Sequence, residues 1–147
     1  MRALHNPAVR QDLESRLAAL RADAPRKWGV MTSDQMLWHV NQFMSWSIGE
    51  ADPKPPAKSA MPAWLMKFFL LNMPWPKGAP TNPKARANGK YDFEAERARC
   101  RELIAKLSAR PIDGPWPDDP SFGPVTGKFV SQLHAKHLDH HFKQFAG

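Results

Sequence analysis

The chain has little cysteine and no long apolar run, and each absence excludes a class of protein. It contains a single cysteine, Cys100, among 147 residues, which excludes an internal disulfide framework and fits a reducing compartment. No run of about 18–20 apolar residues is present to span a bilayer, and the N-terminus has no charged-then-apolar leader. We therefore expect a cytoplasmic protein with no membrane partner, in which Cys100 is a buried structural thiol.

Familiar catalytic motifs are also missing. The sequence has no glycine-rich phosphate loop, no C-x-x-C pair, no serine elbow and no internal repeat. Strand-like alternation is absent, whereas helical periodicity is common. These features predict an all-α fold, and the length predicts one domain over residues 1–147.

The net charge of +7 does not form the pattern of a nucleic-acid-binding protein. Lys and Arg are spread from Arg2 to Lys143 without a block of five or six, and no predicted helix has a purely basic face. Charge alone supports only non-specific attraction. We expect a generally basic, solvated surface and no specific nucleic-acid partner.

Four segments have the apolar period of long amphipathic helices. The four predicted helices run from Pro7 to about Ala22, from Asp34 to Ile48, from Asp92 to Ser108 and from Thr126 to Phe145. Asn6 caps the first helix, and Thr32 with Gln35 forms a capping box at the start of the second.

Prolines mark the connections between these helices. Thirteen of the fifteen lie in Pro53 to Pro83 and Pro111 to Pro124, so neither stretch can be continuous helix. The first stretch contains Met61 to Met73, a short extra helix that is apolar on nearly all sides. We expect this segment to form a lid or wall over a site, in preference to one half of a homodimer contact.

Four of the six histidines lie close together in the last helix. They are His134, His137, His140 and His141, and the last three fall on the inner arc of the helix, where leucine is usual. Burying imidazoles costs free energy unless each ring nitrogen has a partner, and a metal ion satisfies several at once. Because other residue types interrupt the group at helical spacing, it predicts a metal site and not an affinity tag.

Spacing favours one pair within this group. His137 and His141 are related by i, i+4, the arrangement in which two imidazoles of one helix share a Zn²⁺ ion. The pairs His134–His137 and His137–His140 remain alternatives. A third ligand must come from another element of the fold.

Only His5 and His39 remain as that third ligand. His5 precedes Asn6-Pro7, in a terminal segment that we expect to be mobile. His39 lies at the edge of the apolar face of the second helix, beside Phe43 and Trp46. His39 is therefore the better candidate.

Several motifs together resemble a known family. They are Trp28-Gly29-Val30-Met31-Thr32 leading into Gln35-Met36-Leu37-Trp38-His39, Pro76-Lys77-Gly78-Ala79-Pro80, Asp119-Pro120-Ser121-Phe122-Gly123, and His137-Leu138-Asp139-His140-His141-Phe142-Lys143-Gln144-Phe145. Over most of the chain, the sequence resembles a bacterial family within the DinB/YfiT-like superfamily. The resemblance implies a four-helix bundle that holds a divalent metal, and it maps the ligands to His39, His137 and His141. The family often has a histidine where this chain has Asp119.

Three nitrogen ligands leave an open position on a divalent metal, zinc or nickel, where water or a thiol is activated. The carboxylate base of metal hydrolases is missing, because Asp139 points away from the histidine face and Glu50 lies beyond the end of its helix. By resemblance, the chemistry is that of the superfamily's transferases, which use low-molecular-weight thiols. We expect a metal-dependent transferase acting on a small organic substrate. The alternative is a non-catalytic metal-binding or stress-response module.

Two residues near the ligands are candidates for supporting or catalytic roles. Gln144 lies three residues beyond His141, and we expect it to hydrogen-bond a ligand. His140 is expected to pack in the interior or to carry a proton.

We expect the open position to face an apolar pocket. Its predicted walls are Trp38 or Trp46, Phe43 and the segment from Met61 to Met73. In a closed structural site, His134 or His140 would instead be the fourth ligand.

Overall fold

The computed structural model describes residues 1–51, 61–77 and 87–145, which contain five helices and no strand. The helices are α1 (Pro7–Ala19), α2 (Ser33–Ser47), α3 (Ala63–Asn72), α4 (Phe93–Ala109) and α5 (Gly127–Phe145). The expected all-α fold is thus confirmed for this part of the chain. None of these helices is long and apolar enough to cross a membrane.

Local capping residues explain where the helices begin. The Asn6 side chain accepts hydrogen bonds from the first turn of α1, and Asp92 accepts one at the start of α4. Thr32 and Gln35 form the predicted capping box of α2, with the Thr32 amide donating to Gln35 Oε1 at 3.0 Å. The sequence therefore located these starts to within a residue or two.

A long-range contact ends α1 earlier than predicted, at Ala19 rather than Ala22. Leu20 is already extended, and Arg97 of α4 donates through Nη1 to the carbonyl oxygens of Leu17, Ala18 and Leu20. Terminal carbonyls of a helix need such partners. The guanidinium of α4 thus caps α1 and joins the two helices.

The four long helices share one core. α1 and α2 each pack against both α4 and α5, and α3 lies on α5. The fully buried apolar side chains that these four helices contribute to the core are Leu13, Leu17, Met36, Leu37, Val40, Met44, Cys100, Leu103, Ile104, Leu107 and Leu138. Burial raises the pKa of the Cys100 thiol to about 12, which agrees with the expected inert, buried cysteine.

The N-terminal segment is held against α5, so the expectation of a mobile terminus is wrong. Leu4 is fully buried, and its amide donates to the Ser131 carbonyl at 3.1 Å. His5 Nδ1 lies 2.8 Å from Ser131 Oγ, and its Nε2 lies 2.8 Å from the Arg110 carbonyl oxygen. Both ring nitrogens of His5 therefore have structural partners.

The second proline-rich stretch is a non-helical connection, as predicted. Within it, Asp119 and Gly123 pair as an isolated bridge, and Asp119 Oδ1 accepts from the amides of Ser121 and Phe122. Asp119 therefore shapes a turn in this chain. Within the first proline-rich stretch, residues 53–60 and 78–83 lie outside the described residues.

Candidate metal centre

Helices α2 and α5 bring three histidines together, which we call the histidine cluster: His39, His137 and His141. One ring nitrogen from each lies within 4.8 Å of the others. His39 Nε2 and His137 Nε2 are 3.2 Å apart. The rings are almost completely buried, at 3%, 9% and 9% exposure. These are the three residues that the sequence favours as metal ligands.

The geometry of the histidine cluster suits a small metal ion. Two imidazole nitrogens bound to tetrahedral zinc at about 2.0–2.1 Å lie about 3.4 Å apart. The His39–His137 distance of 3.2 Å is close to that value. The widest separation, 4.8 Å, needs an inward ring movement of about 1.4 Å to reach it. Such a movement is small for a side chain, so the residues fit the ion.

Burial keeps His137 and His141 neutral and able to bind a metal. The pKa of His137 lies well below its usual range, chiefly because of burial and also because His141 and His39 would repel a proton. Burial, with His39 nearby, lowers the pKa of His141 to about 3. A neutral ring has one nitrogen with a free lone pair. At neutral pH, His137 and His141 therefore each have a ligand atom available.

A hydrogen-bond relay fixes which nitrogen of His141 has the lone pair. Gln144 Nε2 donates to the Trp28 carbonyl oxygen at 2.7 Å. Because that oxygen can only accept, the amide orientation is set, and Gln144 Oε1 lies 3.0 Å from His141 Nδ1. An amide oxygen also only accepts, so Nδ1 bears the proton and Nε2 has the lone pair. The expected contact between Gln144 and a cluster histidine is present.

The loop before α2 is shaped around Gln144. The Lys27 amide donates to the Gln144 carbonyl at 2.7 Å. Gly29 has φ of +80°, and a Cβ at this position would lie 2.6 Å from Gln144 Nε2. Glycine tolerates both the left-handed backbone and the close approach. Gly29 is therefore part of the support for the relay.

Aromatic rings lie against the histidine cluster. The Phe43 ring is 5.2 Å from His39 and 5.0 Å from His137, edge to face in both cases. Trp75 lies 5.6 Å from His137 and 5.4 Å from His140. Phe43 was predicted as a wall, whereas Trp75 was missed. Its signal in the sequence is a tryptophan between Pro74 and Pro76, directly after the apolar segment.

The two tryptophans of α2 differ in their distance from the cluster. Trp46 packs against Phe43 at 4.9 Å and is nearly buried. Trp38 stacks on Tyr91 at 5.0 Å, at the start of α4. Of the two alternatives for the wall, Trp46 is therefore the one that supports Phe43.

The end of α3 helps to hold Trp75, which follows the helix, beside the histidine cluster. The Trp75 indole donates to the Leu70 carbonyl at 2.8 Å. Lys136 of α5 donates to the carbonyl oxygens of Leu70 and Met73 at 2.6 and 2.5 Å, and its Nζ is 5.3 Å from the Trp75 ring centroid. These bonds tie the end of α3 to α5 and hold Trp75 beside the histidines.

The remaining histidines of α5 have other surroundings. His134 is buried, its Nε2 lies 2.7 Å from Ser47 Oγ, and burial lowers its pKa to about 4. His140 is half-buried between Trp28, at 5.8 Å, and Trp75, at 5.4 Å. Burial also lowers the pKa of His140, so this ring is neutral at pH 7. Neither residue belongs to the ligand group of the described residues.

No carboxylate joins the histidine cluster within residues 1–51, 61–77 and 87–145. Asp139 pairs with Arg16 at 2.8 Å and with Lys143 at 3.0 Å, on the other side of α5. Glu50 pairs with Lys106 at 2.5 Å. Both acids therefore lie in ion pairs outside the histidine cluster.

Fold and site together define an all-helical protein with a buried histidine cluster that can hold a divalent metal ion. The chain belongs to the family described as "Protein of unknown function (DUF1569)", which matches residues 2–147. No curated protein and no solved structure matches the chain.

Proposed function

We propose that the chain binds one divalent metal ion, zinc or nickel, through His39, His137 and His141, and acts as a metal-dependent enzyme. The observation behind this proposal is the convergence of three buried imidazoles, one of which has its tautomer fixed by Gln144. Three protein ligands are typical of catalytic zinc, which keeps a position for water or substrate.

The bound metal would supply Lewis acidity, which lowers the pKa of a coordinated thiol or water. The chain's own residues then have separate tasks. Gln144 orients the His141 ring, and Phe43 and Trp75 exclude water from one side of the cluster. His140 is neutral and half-buried at the rim, where it can accept the proton of an incoming thiol.

Thiol-dependent transfer is favoured over hydrolysis. Metal hydrolases usually place a carboxylate base beside the metal, and none lies in the cluster among the described residues. The resemblance to the DinB/YfiT-like superfamily supports the same choice. The packing of α1 and α2 on α4 and α5 is compatible with a four-helix bundle of that type. The substrates would be a low-molecular-weight thiol and a small organic electrophile.

A closed, non-catalytic metal site would need a fourth protein ligand. His134 is engaged by Ser47, and His140 is not part of the ligand group. Both observations favour an open coordination position, and hence an enzyme over a metal-binding or stress-response module.

The test is a thiol-transfer assay with zinc-loaded and nickel-loaded protein. Cysteine, glutathione and 2-mercaptoethanol are each supplied with an aryl chloride, and formation of the thioether is followed by absorbance. Sulfur bonds to the ring carbon, chloride departs, and the thiol proton passes to His140 or solvent. We expect catalysis that falls at least about tenfold in His39→Ala and persists in the control His5→Gln. Metal-loaded protein without activity towards any thiol would favour the non-catalytic module.

A further inference from the structure

The net charge of the chain comes from one segment. Residues 53–91 contain seven Lys and Arg and no Asp or Glu. Of 21 basic residues, 21 − 7 = 14 lie elsewhere, and they balance all 14 acidic residues. The seven are Lys54, Lys58, Lys67, Lys77, Lys84, Arg86 and Lys90. The Lys and Arg residues are evenly spread along the chain. This segment has a positive net charge because it contains no Asp or Glu.

The same segment has most of the exposed apolar side chains. Seven large hydrophobic residues are exposed among those described, and five of them are Met61, Trp64, Phe68, Phe69 and Met73. Trp64 is 69% exposed and Phe68 is 53% exposed. These two and Phe69 lie within an arc of about 140° on α3. Exposed apolar groups gathered in this way mark an interaction surface.

Residues other than these three aromatic side chains anchor α3 to the protein. Lys67 Nζ donates to the Pro124 carbonyl at 3.2 Å, and Lys136 holds the carbonyls at the end of the helix. Leu71 packs against the core. The helix is thus fixed in place with its aromatic face directed outward.

We infer that the outward face of α3 docks on an anionic phospholipid surface. Aromatic and aliphatic side chains on one helix face insert at the boundary of headgroups and acyl chains, while nearby Lys and Arg attract anionic headgroups. Lys77, five residues beyond the end of α3, and Lys90, further along the same segment, are both exposed. Such a helix lies in the membrane plane and does not span it. Such a contact would replace the expectation of no membrane partner, which rested on the lack of a spanning segment.

Charge and side-chain type favour lipid over two other occupants. A symmetric dimer through this face would bring two segments of charge +7 together, and like charges across an interface oppose association. Single-stranded nucleic acid stacks on separate aromatic platforms along a basic groove. Here the residues at the two ends of the apolar face are Met61 and Met73, which have no ring on which a base could stack.

The test is sedimentation of the 147-residue protein with two kinds of vesicle, one of phosphatidylcholine alone and one of phosphatidylcholine with 30% phosphatidylserine. We expect at least tenfold stronger binding to the anionic vesicles, with loss of that preference in 0.5 M salt. Trp64→Ser/Phe68→Ser should weaken binding at least tenfold, whereas Val30→Ser, at an exposed apolar site elsewhere, should not. Equal binding to both vesicles, or unchanged binding of the double variant, would overturn the inference.

Two double variants with the same net charge test whether the position of the lysines, and not only their number, determines vesicle binding. Lys77→Gln/Lys90→Gln should weaken vesicle binding severalfold, and Lys27→Gln/Lys128→Gln, with the same net charge, should not. Because Trp64 and Phe68 are exposed, their replacement should leave the melting temperature unchanged, which checks folding. Two other outcomes would contradict the proposal if the wild-type protein does not bind vesicles. One is a wild-type dimer that dissociates in the Trp64→Ser/Phe68→Ser variant. The other is binding of single-stranded nucleic acid that this variant abolishes.

Discussion

Replacing Gln144 by leucine tests the relay that orients His141. The substitution keeps an inner side chain of similar size but removes both polar groups of the amide. His141 Nδ1 and the Trp28 carbonyl oxygen each lose a partner, from bonds of 3.0 and 2.7 Å. A buried polar group without a partner costs about 1–3 kcal/mol. Because the half-buried Trp28 carbonyl can turn to water, only His141 Nδ1 stays without a partner, and we expect a loss of about 1–3 kcal/mol in the free energy of unfolding.

Metal affinity should fall as well, because His141 loses the contact that fixes its tautomer. Loss of such an outer partner typically weakens metal binding by about 10–100-fold. At about 1.4 kcal/mol per tenfold change, this corresponds to about 1.4–2.8 kcal/mol of binding free energy. Competition for Zn²⁺ against a chromophoric chelator at pH 7.4 measures the dissociation constant.

Two matched variants make the result specific. Gln132→Leu changes the same residue type on the same helix, outside the cluster, and should keep the wild-type affinity. Gln144→Glu keeps an acceptor for His141 Nδ1 but no longer donates to Trp28, so it should lose stability and retain zinc affinity. If Gln144→Leu binds zinc within about twofold of wild type, the relay has no role beyond packing.

Three further predictions concern other parts of the fold. Gly29→Ala forces a Cβ onto Gln144 at a φ of +80° and should weaken zinc binding about tenfold in the chelator titration, with Gly89→Ala, in open space, as control. In the metal-free protein, burial lowers the pKa of His134 from 6.5 to about 4. The stability that neutral His134 contributes is fully present above pH 6.5 and declines by about 3 kcal/mol as the pH falls to 4. The free energy of unfolding of His134→Gln, measured with urea, should therefore be less sensitive to acid. Cys100, with its pKa raised to about 12, should react with iodoacetamide at least about a hundredfold more slowly in folded protein than in urea.

The parts of the fold that could be predicted from sequence rest on local signals. Asn6, Thr32 with Gln35, and Asp92 cap the turns that directly follow them, so a few neighbouring residues determine each helix start. The i, i+4 spacing of His137 and His141 places two rings on one face in the same local way.

The missed features depend on partners far along the chain. His5 is fixed by Ser131 and Arg110, so its apparent position in a loose terminus was misleading. Arg97 shortens α1 from the neighbouring helix. Neither contact has a periodic or motif signature, because each depends on which helices pack together.

The choice among the α5 histidines shows the same limit. Periodicity placed His140 on the inner arc with the ligand pair, but the structure surrounds it with Trp28 and Trp75 at the rim. Ser47 of α2 contacts His134 Nε2, and His134 lies outside the ligand group of the described residues. Helix rotation against α2 and the position of Trp75 decide these roles, and both are tertiary properties.

The most direct test of the metal centre is the metal content of protein purified without a tag and without a nickel column. After incubation with Zn²⁺ and removal of the excess, elemental analysis should find one equivalent in wild type. Single alanine variants at His39, His137 and His141 should each lose most of it, since three ligands must converge to hold the ion. His134→Ala should retain it. Metal-free wild-type protein, or loss from His134→Ala with none from His141→Ala, would contradict the assignment.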